Sequence, residues 1–156
     1  MRFQEGAGAV RGSYILLVKL PEAQMISVGG LKTIYFPRGH YAYVGSAMGG
    51  IKGRLSRHLR ENKKRYWHID YLLEKASVDE AIVCETEDRA ECKIARVLGA
   101  QFDCIPSFGS SDCKCQSHLL FSVEEMKARI MVTLDLLGMR PRLLEVDTNR
   151  DIVGQD

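Results

Sequence analysis

Apolar positions follow two rhythms along this chain, and the shorter one comes first. Ser13 to Leu20 (SYILLVKL) is an aliphatic run stopped by Pro21, the pattern of a largely buried strand that ends in a turn. Met25 to Val28 and Lys32 to Phe36 flank Gly29-Gly30 as the arms of a hairpin, and Pro37-Arg38-Gly39 breaks the chain before a strand at His40 to Val44. The spacing then lengthens. Ile51, Leu55 and Leu59 recur every four residues, which predicts a helix with one apolar and one basic side. A second helix is predicted from Tyr66 to Ala76, with Ile69, Leu72, Leu73 and Ala76 as its buried stripe and Trp67 and Tyr71 one turn apart. Ala81 to Cys84 reads as a strand, Asp88 as the cap of a third helix running to Leu98 and closed by Gly99, and Phe102 to Ile105 as another strand. The Ser-, Gly- and Cys-rich stretch SFGSSDCKCQ predicts a structured loop before a strand at His118 to Phe121. Val123 to Leu137 predicts a last helix, with Met126, Ile130, Leu134 and Leu137 on one side and Gly138 at its end. Beyond Pro141 the tail is polar and expected to be mobile at its end.

At 156 residues and 46% hydrophobic content, the chain is long enough for one compact domain with a short appendage. The formal charge of +2 is unremarkable, but its distribution is uneven. Ile51 to Tyr66 carries Lys52, Arg54, Arg57, Arg60, Lys63, Lys64 and Arg65 against Glu61, a net +6, so the remainder sums to −4. Clustered Lys and Arg gain free energy by displacing counterions from phosphates, so the segment is a candidate nucleic-acid footprint; a solvated helix face is the alternative. No run of about 18 apolar residues is present to span a bilayer, and Met1 to Gly12 lacks the apolar middle of a secretory signal. An intracellular, cytoplasmic protein is the expectation. Five cysteines, Cys84, Cys92, Cys104, Cys113 and Cys115, would then mostly stay reduced, and their odd number leaves at least one unpaired within the chain.

Gly12-Ser13-Tyr14 and Tyr43-Val44-Gly45, followed by Arg54 and His58 one helical turn apart and by Glu91 downstream, resemble the GIY-YIG nuclease superfamily in order, residue type and spacing. A closer resemblance runs from Gly12 to Phe121 through Gly39-His40-Tyr41, Arg57-His58-Leu59-Arg60, Trp67-His68-Ile69-Asp70, Glu91-Cys92 and Phe108-Gly109-Ser110-Ser111-Asp112-Cys113. These phrases are similar to a little-characterised archaeal-type GIY-YIG-like subfamily, some of whose members are fused to an endonuclease III-type glycosylase. The resemblance implies an α/β (α+β) fold: a small central, mostly antiparallel sheet flanked by helices, with a C-terminal helix; the two half-signatures lie farther apart than is usual in the family, which implies an inserted hairpin. It implies a nuclease domain over residues 12–121, with a C-terminal helix and polar tail over 122–156. It also implies DNA as a partner, DNA repair or processing as the setting, and a repair protein as a further partner.

Phosphodiester hydrolysis needs an activated water, neutralisation of charge on the phosphate and help for the departing oxygen. Glu91 is the candidate ligand for one Mg²⁺ or Mn²⁺, which keeps most of its waters and needs only one or two carboxylates. Arg54 can grip phosphate oxygens with its planar fork. His58, on the same helix face, or Tyr43 would position or deprotonate the water, with Tyr14 assisting by hydrogen bond. Lys52, Arg57, Arg60, Lys63, Lys64 and Arg65 are the candidate DNA-binding residues. Each position has a structural alternative: Tyr14 and Tyr43 as strand packing, Arg54 as a solvent-facing charge, His58 as a surface histidine, and Glu91 as the second half of a capping box with Asp88. Two departures from the family pattern, Ser46 where repair-type nucleases often carry lysine and Asp103 where an asparagine is often found, keep open a non-catalytic nucleic-acid-binding module.

Cys113-Lys114-Cys115-Gln116-Ser117-His118 places three soft ligands within six residues, and Cys92 or Cys104 can complete a tetrahedral Zn²⁺ site. Cysteines one residue apart in an extended strand point in opposite directions, so both reach one metal only if the loop is bent. Disulfides, such as Cys104 with Cys113 or Cys92 with Cys115, and free buried thiols remain alternatives, and a zinc or redox interaction module is the corresponding third function. Asp112 can alternatively approach a metal at Glu91. His68 and Asp70 are expected to make structural hydrogen bonds.

Overall fold

The computed structural model describes residues 10–146 and 152–154. Strand β1 (Gly12–Leu20) sits at the centre of the sheet, and its pleat sends alternate side chains to opposite faces. Tyr14, Leu16, Val18 and Leu20 enter one apolar cluster, whereas Ile15 enters another on the far side. Strand β4 (Gly39–Ala47) runs antiparallel beside β1 from Gly12 opposite Ala47 to Leu20 opposite Gly39. Strand β5 (Ser77–Glu85) pairs antiparallel with the other edge of β1. It is longer than the predicted Ala81–Cys84 because β1 supplies it with backbone partners from Glu85 to Ser77, with one register shift between Leu17 and Val18.

With β6 (Asp103–Cys104), β7 (Leu119–Ser122), β8 (Arg142–Val146) and β9 (Ile152–Gly154), the sheet has seven strands among the described residues, ordered β6-β7-β4-β1-β5-β8-β9. Every pairing is antiparallel. A separate hairpin, β2 (Gln24–Ser27) and β3 (Thr33–Phe36), is inserted between β1 and β4, and its Ile26 and Phe36 join the cluster that holds Tyr14. The mixed α+β class is therefore what the chain adopts. Part of the polar tail is not loose: β8 extends the sheet and β9 pairs with it. The rest of that expectation, over 147–151 and 155–156, lies outside the described residues.

Helices cover both faces of the sheet. α1 (Ile51–Leu59) follows its predicted bounds and buries Ile51, Leu55, His58 and Leu59. α2 (His68–Leu72) is shorter than the predicted Tyr66–Ala76. The Asp70 carboxylate accepts the N–H groups of Tyr66 and Trp67 and holds Trp67 extended, so the helix cannot start earlier. A single turn of this length is unstable alone. Ile69 and Leu72, both fully buried, contribute about 1.5–3 kcal/mol each, so packing rather than propensity holds it. α3 (Glu91–Gly99) and α4 (Lys127–Leu136) pack Ile94, Leu98, Ile130 and Leu134 on the opposite face against Ile15, Val44 and Ile82. α4 begins later than the predicted Val123 because Ser122 Oγ accepts the Glu124 N–H in a turn that leaves Val123 exposed. No helix among the described residues is long and apolar enough to cross a membrane.

Candidate active site and metal centre

The β1–β4 register sets Gly45 opposite Tyr14. A Cβ at position 45 would lie 2.4 Å from both the hydroxyl and Cζ of Tyr14, so the phenol lies across the glycine and can do so only because no side chain is there. From that position the Tyr14 hydroxyl meets His58 Nε2 at 2.6 Å. Tyr43, on the same face, stands edge-on to His58 with centroids 6.0 Å apart and to Phe108 at 6.3 Å. Arg54, one turn before His58 on α1, donates from Nη1 to the Ser46 carbonyl at 2.8 Å and lies over the Trp67 ring at 4.6 Å. Glu91 is the first residue of α3, close enough for its charge to act on both phenols. Tyr14, Tyr43, Arg54 and His58 are thus brought together, with Glu91 near enough for its charge to act on the two phenols.

Two structural alternatives fail at this site. His58 is 1% exposed and so is no surface histidine. Glu91 does not complete a capping box with Asp88, because the helix starts at Glu91 itself behind Ala90, with no side-chain cap, and Asp88 is not its N-cap. Glu91 instead lies 3.5 Å from Arg89 Nη1, a weak and mostly exposed pairing.

Burial pushes the Tyr14 phenol well above its usual range, with Tyr43 and Glu91 adding to the effect and Arg54 opposing it. Tyr43 is raised by burial and Glu91 against Arg54. Burial, with Lys63, Arg54 and Arg57 adding and Asp70 opposing, pulls His58 down to about 3. The imidazole is therefore neutral near pH 7, and its buried Nδ1 has no hydrogen-bond partner among the described residues. A neutral imidazole can accept the Tyr14 O–H as a hydrogen bond at Nε2, whereas full transfer of that proton would make a buried imidazolium, which the same burial disfavours. Ser46 Oγ, also buried, likewise has no hydrogen-bond partner.

The basic stretch divides in two. Lys52, Arg60 and Lys64 are exposed, Arg65 pairs with Glu74 at 3.2 Å, and Lys63 Nζ donates to the His58 carbonyl. Arg57 is not a free DNA-binding cation: its fork donates to both oxygens of Asp70 at 3.0 Å, and to the Lys64 carbonyl at 3.1 Å. Asp70 has no exposure. Its burial would raise the carboxyl, but Arg57 and the N–H groups of Tyr66 and Trp67 outweigh that and hold it below the usual carboxylate range. Asp70 thus makes the structural hydrogen bonds expected of it, with a partner thirteen positions away that no local spacing signals, and Trp67 is the site-supporting residue whose role the sequence left unassigned. His68 Nδ1 accepts the Gly109 N–H at 2.8 Å, the structural bond expected of it.

Beside this pocket, Cys92, Cys113, Cys115 and His118 place one ligand atom each within 4.8 Å of one another. The Cys92 and Cys113 sulfurs lie 3.8 and 3.4 Å from His118 Nε2. Zinc bonds of about 2.3 Å to sulfur and 2.0–2.1 Å to nitrogen in a tetrahedron require S···N separations of about 3.5 Å, so the set fits such an ion. His118 Nδ1 lies 3.2 Å from the Val44 carbonyl, which leaves Nε2 as the ligand nitrogen. Burial, with Cys115 and Cys113 adding, pushes the Cys92 thiol up to about 12, so a bound cation would have to displace its proton.

Both Cys113 and Cys115 reach the cluster because the loop before them is bent, with Ser107 at φ +64° and Gly109 at φ +70°. Cys104 does not reach it: it pairs with Leu120 in β6, and Cys92 is the fourth ligand instead. All five thiols are free, so neither Cys104–Cys113 nor Cys92–Cys115 forms a disulfide. Asp112 and Asp103 are exposed, the one in the loop and the other on the edge strand β6, and neither belongs to the cluster.

No curated protein and no solved structure matches the chain. One family does, over residues 13–138, which span β1 through the end of α4 and both residue clusters. The chain belongs to the family described as Domain of unknown function DUF123.

Proposed function

We propose that this chain is a metal-dependent endonuclease that hydrolyses phosphodiester bonds in DNA during repair or processing. The observation that carries this reading is the meeting of Tyr14, Tyr43, Arg54, His58 and Glu91 from β1, β4, α1 and α3, next to exposed Lys52, Arg60 and Lys64. Arg54, backed by the Trp67 ring, would hold the non-bridging oxygens of the scissile phosphate. Glu91 would hold one Mg²⁺ or Mn²⁺, which when bound supplies charge neutralisation at the phosphate and the departing oxygen. Tyr43 would orient the attacking water. Because burial disfavours a standing phenolate and a standing imidazolium alike, Tyr14 would take the water's proton only as its own passes to His58 Nε2 and as the attack proceeds, so that the cation formed is balanced by the negative charge gathering on the phosphate. The Cys92, Cys113, Cys115 and His118 set would bind Zn²⁺ as a closed, four-ligand structural ion.

A second reading, a DNA-binding module without turnover, is favoured by the near-complete exclusion of Tyr14 and His58 from solvent, each 1% exposed. The test incubates the purified chain with duplex, nicked, branched and single-stranded DNA and Mg²⁺ or Mn²⁺, beside Arg54→Ala and Glu91→Gln. Metal-dependent cutting that drops by about 10²–10³ or more in both variants upholds the enzyme. DNA binding that survives Glu91→Gln, with no cutting by the unaltered chain, replaces it with the module. Behaviour governed by zinc content or thiol state rather than Arg54 would point to an interaction module instead.

A further inference from the structure

Between α1 and α2 the chain presents an aromatic ring that the proposed chemistry leaves unused. Tyr66 is 78% exposed. Singly exposed aromatics are ordinary on protein surfaces, but the backbone of this one is fixed. Its N–H donates to Asp70 Oδ2 at 2.8 Å, the Trp67 N–H donates to the same oxygen at 2.9 Å, and the Arg57 fork holds that buried carboxylate from the other side. A ring presented from a fixed backbone loses little freedom on meeting a partner. Tyr66 stands edge-on to Trp67, with centroids 5.7 Å apart and planes at 83°. Trp67 carries the Arg57 and Arg54 guanidinium groups at 4.1 and 4.6 Å. Tyr66, Trp67 and Arg54 therefore form a continuous row from the surface to the arginine assigned to the phosphate. Exposed Arg60 and Lys64 lie on the same connecting segment.

We infer that Tyr66 is a stacking platform for an unpaired base next to the scissile phosphate, so that the site takes single-stranded, flapped or otherwise locally unpaired DNA in preference to continuous duplex. This rests on the nuclease reading for its ligand and for Arg54 as the phosphate anchor. In a duplex each base face is covered by its neighbours, and an exposed ring gains contact only with a base that has left the stack. Basic side chains alone would serve duplex and single strand alike and have no use for a fixed, exposed ring. Because every base has a flat face, the platform selects the structure of the strand, not its sequence.

The test measures binding of the full chain, and of its Tyr66→Ala, Tyr66→Phe and Arg54→Ala variants, to a short single-stranded oligonucleotide, its matched duplex and the duplex with a single-stranded flap. Trp67 is the one tryptophan in the sequence, so its emission reports events beside the platform. Tyr66→Ala is expected to weaken single-strand and flap binding about tenfold, in keeping with the strength of base–aromatic stacking, with duplex binding changed by less than about twofold. Tyr66→Phe keeps the ring and should bind as the unaltered chain does, and single strand should change Trp67 emission more than duplex. Unchanged thermal unfolding of Tyr66→Ala keeps the comparison clear of folding. Equal losses on duplex and single strand, or none on either, overturn the platform; where cutting and its dependence on Arg54 persist, the nuclease reading stands. If the unaltered chain binds no DNA at low salt, both fall and Tyr66 is left as a surface for a protein partner.

Discussion

A methyl group at position 45 would collide with the Tyr14 hydroxyl and Cζ, and the phenol has little room to retreat because it is 1% exposed. Gly45→Ala is therefore expected to cost about 1–3 kcal/mol in urea unfolding, as overpacking does, and to lower cutting by parting Tyr14 from His58. Unfolding unchanged from the natural chain would show that the ring can move aside. His58 gives a prediction in pH. Its folded value of about 3 lies below the ordinary 6.5, so between the two the unfolded chain binds a proton that the folded chain does not. The stability that this neutral histidine contributes is full above pH 6.5 and drains away as pH falls toward 3. Tyr14, Tyr43, Arg54, Arg57, Lys63 and Asp70 are titratable or charged groups around it. His68, lowered by its own burial, adds a smaller slope of the same sign. Stability measured by urea at pH 7 and pH 5 should fall by up to about 1.4 kcal/mol per pH unit for a one-proton difference, and His58→Gln should flatten the slope. Carboxylates titrate mainly below this window; equal slopes in the two proteins would refute the assignment.

The Tyr, Arg, His and Glu set was legible in the sequence because those residues lie in phrases with recognisable order, and a shared helix face for Arg54 and His58 follows from four-residue spacing alone. Burial of His58 was not legible, since the depth of a helix face depends on what packs over it. The same holds for Arg57: its basic neighbours suggested phosphate contacts, whereas its fork is taken by Asp70 from another element.

The two residue clusters share an element where α3 begins. Glu91 faces the tyrosines and Cys92, the next residue, enters the sulfur cluster, so one helix start serves both sites. The loop before β7 does the same from the other side: a Cβ on Gly109 would lie 3.0 Å from Tyr43 Cε1 and 3.2 Å from His118 Cβ. The metal centre would therefore brace Glu91 against Tyr43. Zinc near one equivalent per chain is expected by elemental analysis, falling toward zero in Cys113→Ser. Chelation or that substitution should lower the thermal midpoint by about 10 °C, while Cys104→Ser, outside the cluster, should leave metal content unchanged. A metal-free chain with the full midpoint would remove the centre. The local motif Cys113, Cys115 and His118 was visible in the sequence, but the choice of Cys92 over Cys104 depends on where α3 is placed against the loop.

Across the whole molecule, one antiparallel sheet separates two apolar clusters, with the candidate active site in the layer shared by α1, α2 and the inserted hairpin. α3 packs on the opposite face, yet its start approaches the tyrosines at the end of the sheet where β7 begins with Leu119 opposite Tyr43. Just before β7, His118 accepts the Val44 N–H on its own carbonyl and lies within reach of the Val44 carbonyl through Nδ1. That edge is where the two residue clusters approach. By itself the sequence determined the strand and helix periods, the mixed fold class, the basic segment and the candidate chemistry, since each is a matter of residue type and local spacing. Only the tertiary structure decided which cations are already paired, that α2 is cut short by Asp70, that Glu91 is not a cap, and which cysteine completes the cluster. Those outcomes turn on desolvation and on partners distant in the chain, and the energy of a buried charge or thiol is set by the neighbours that folding brings to it.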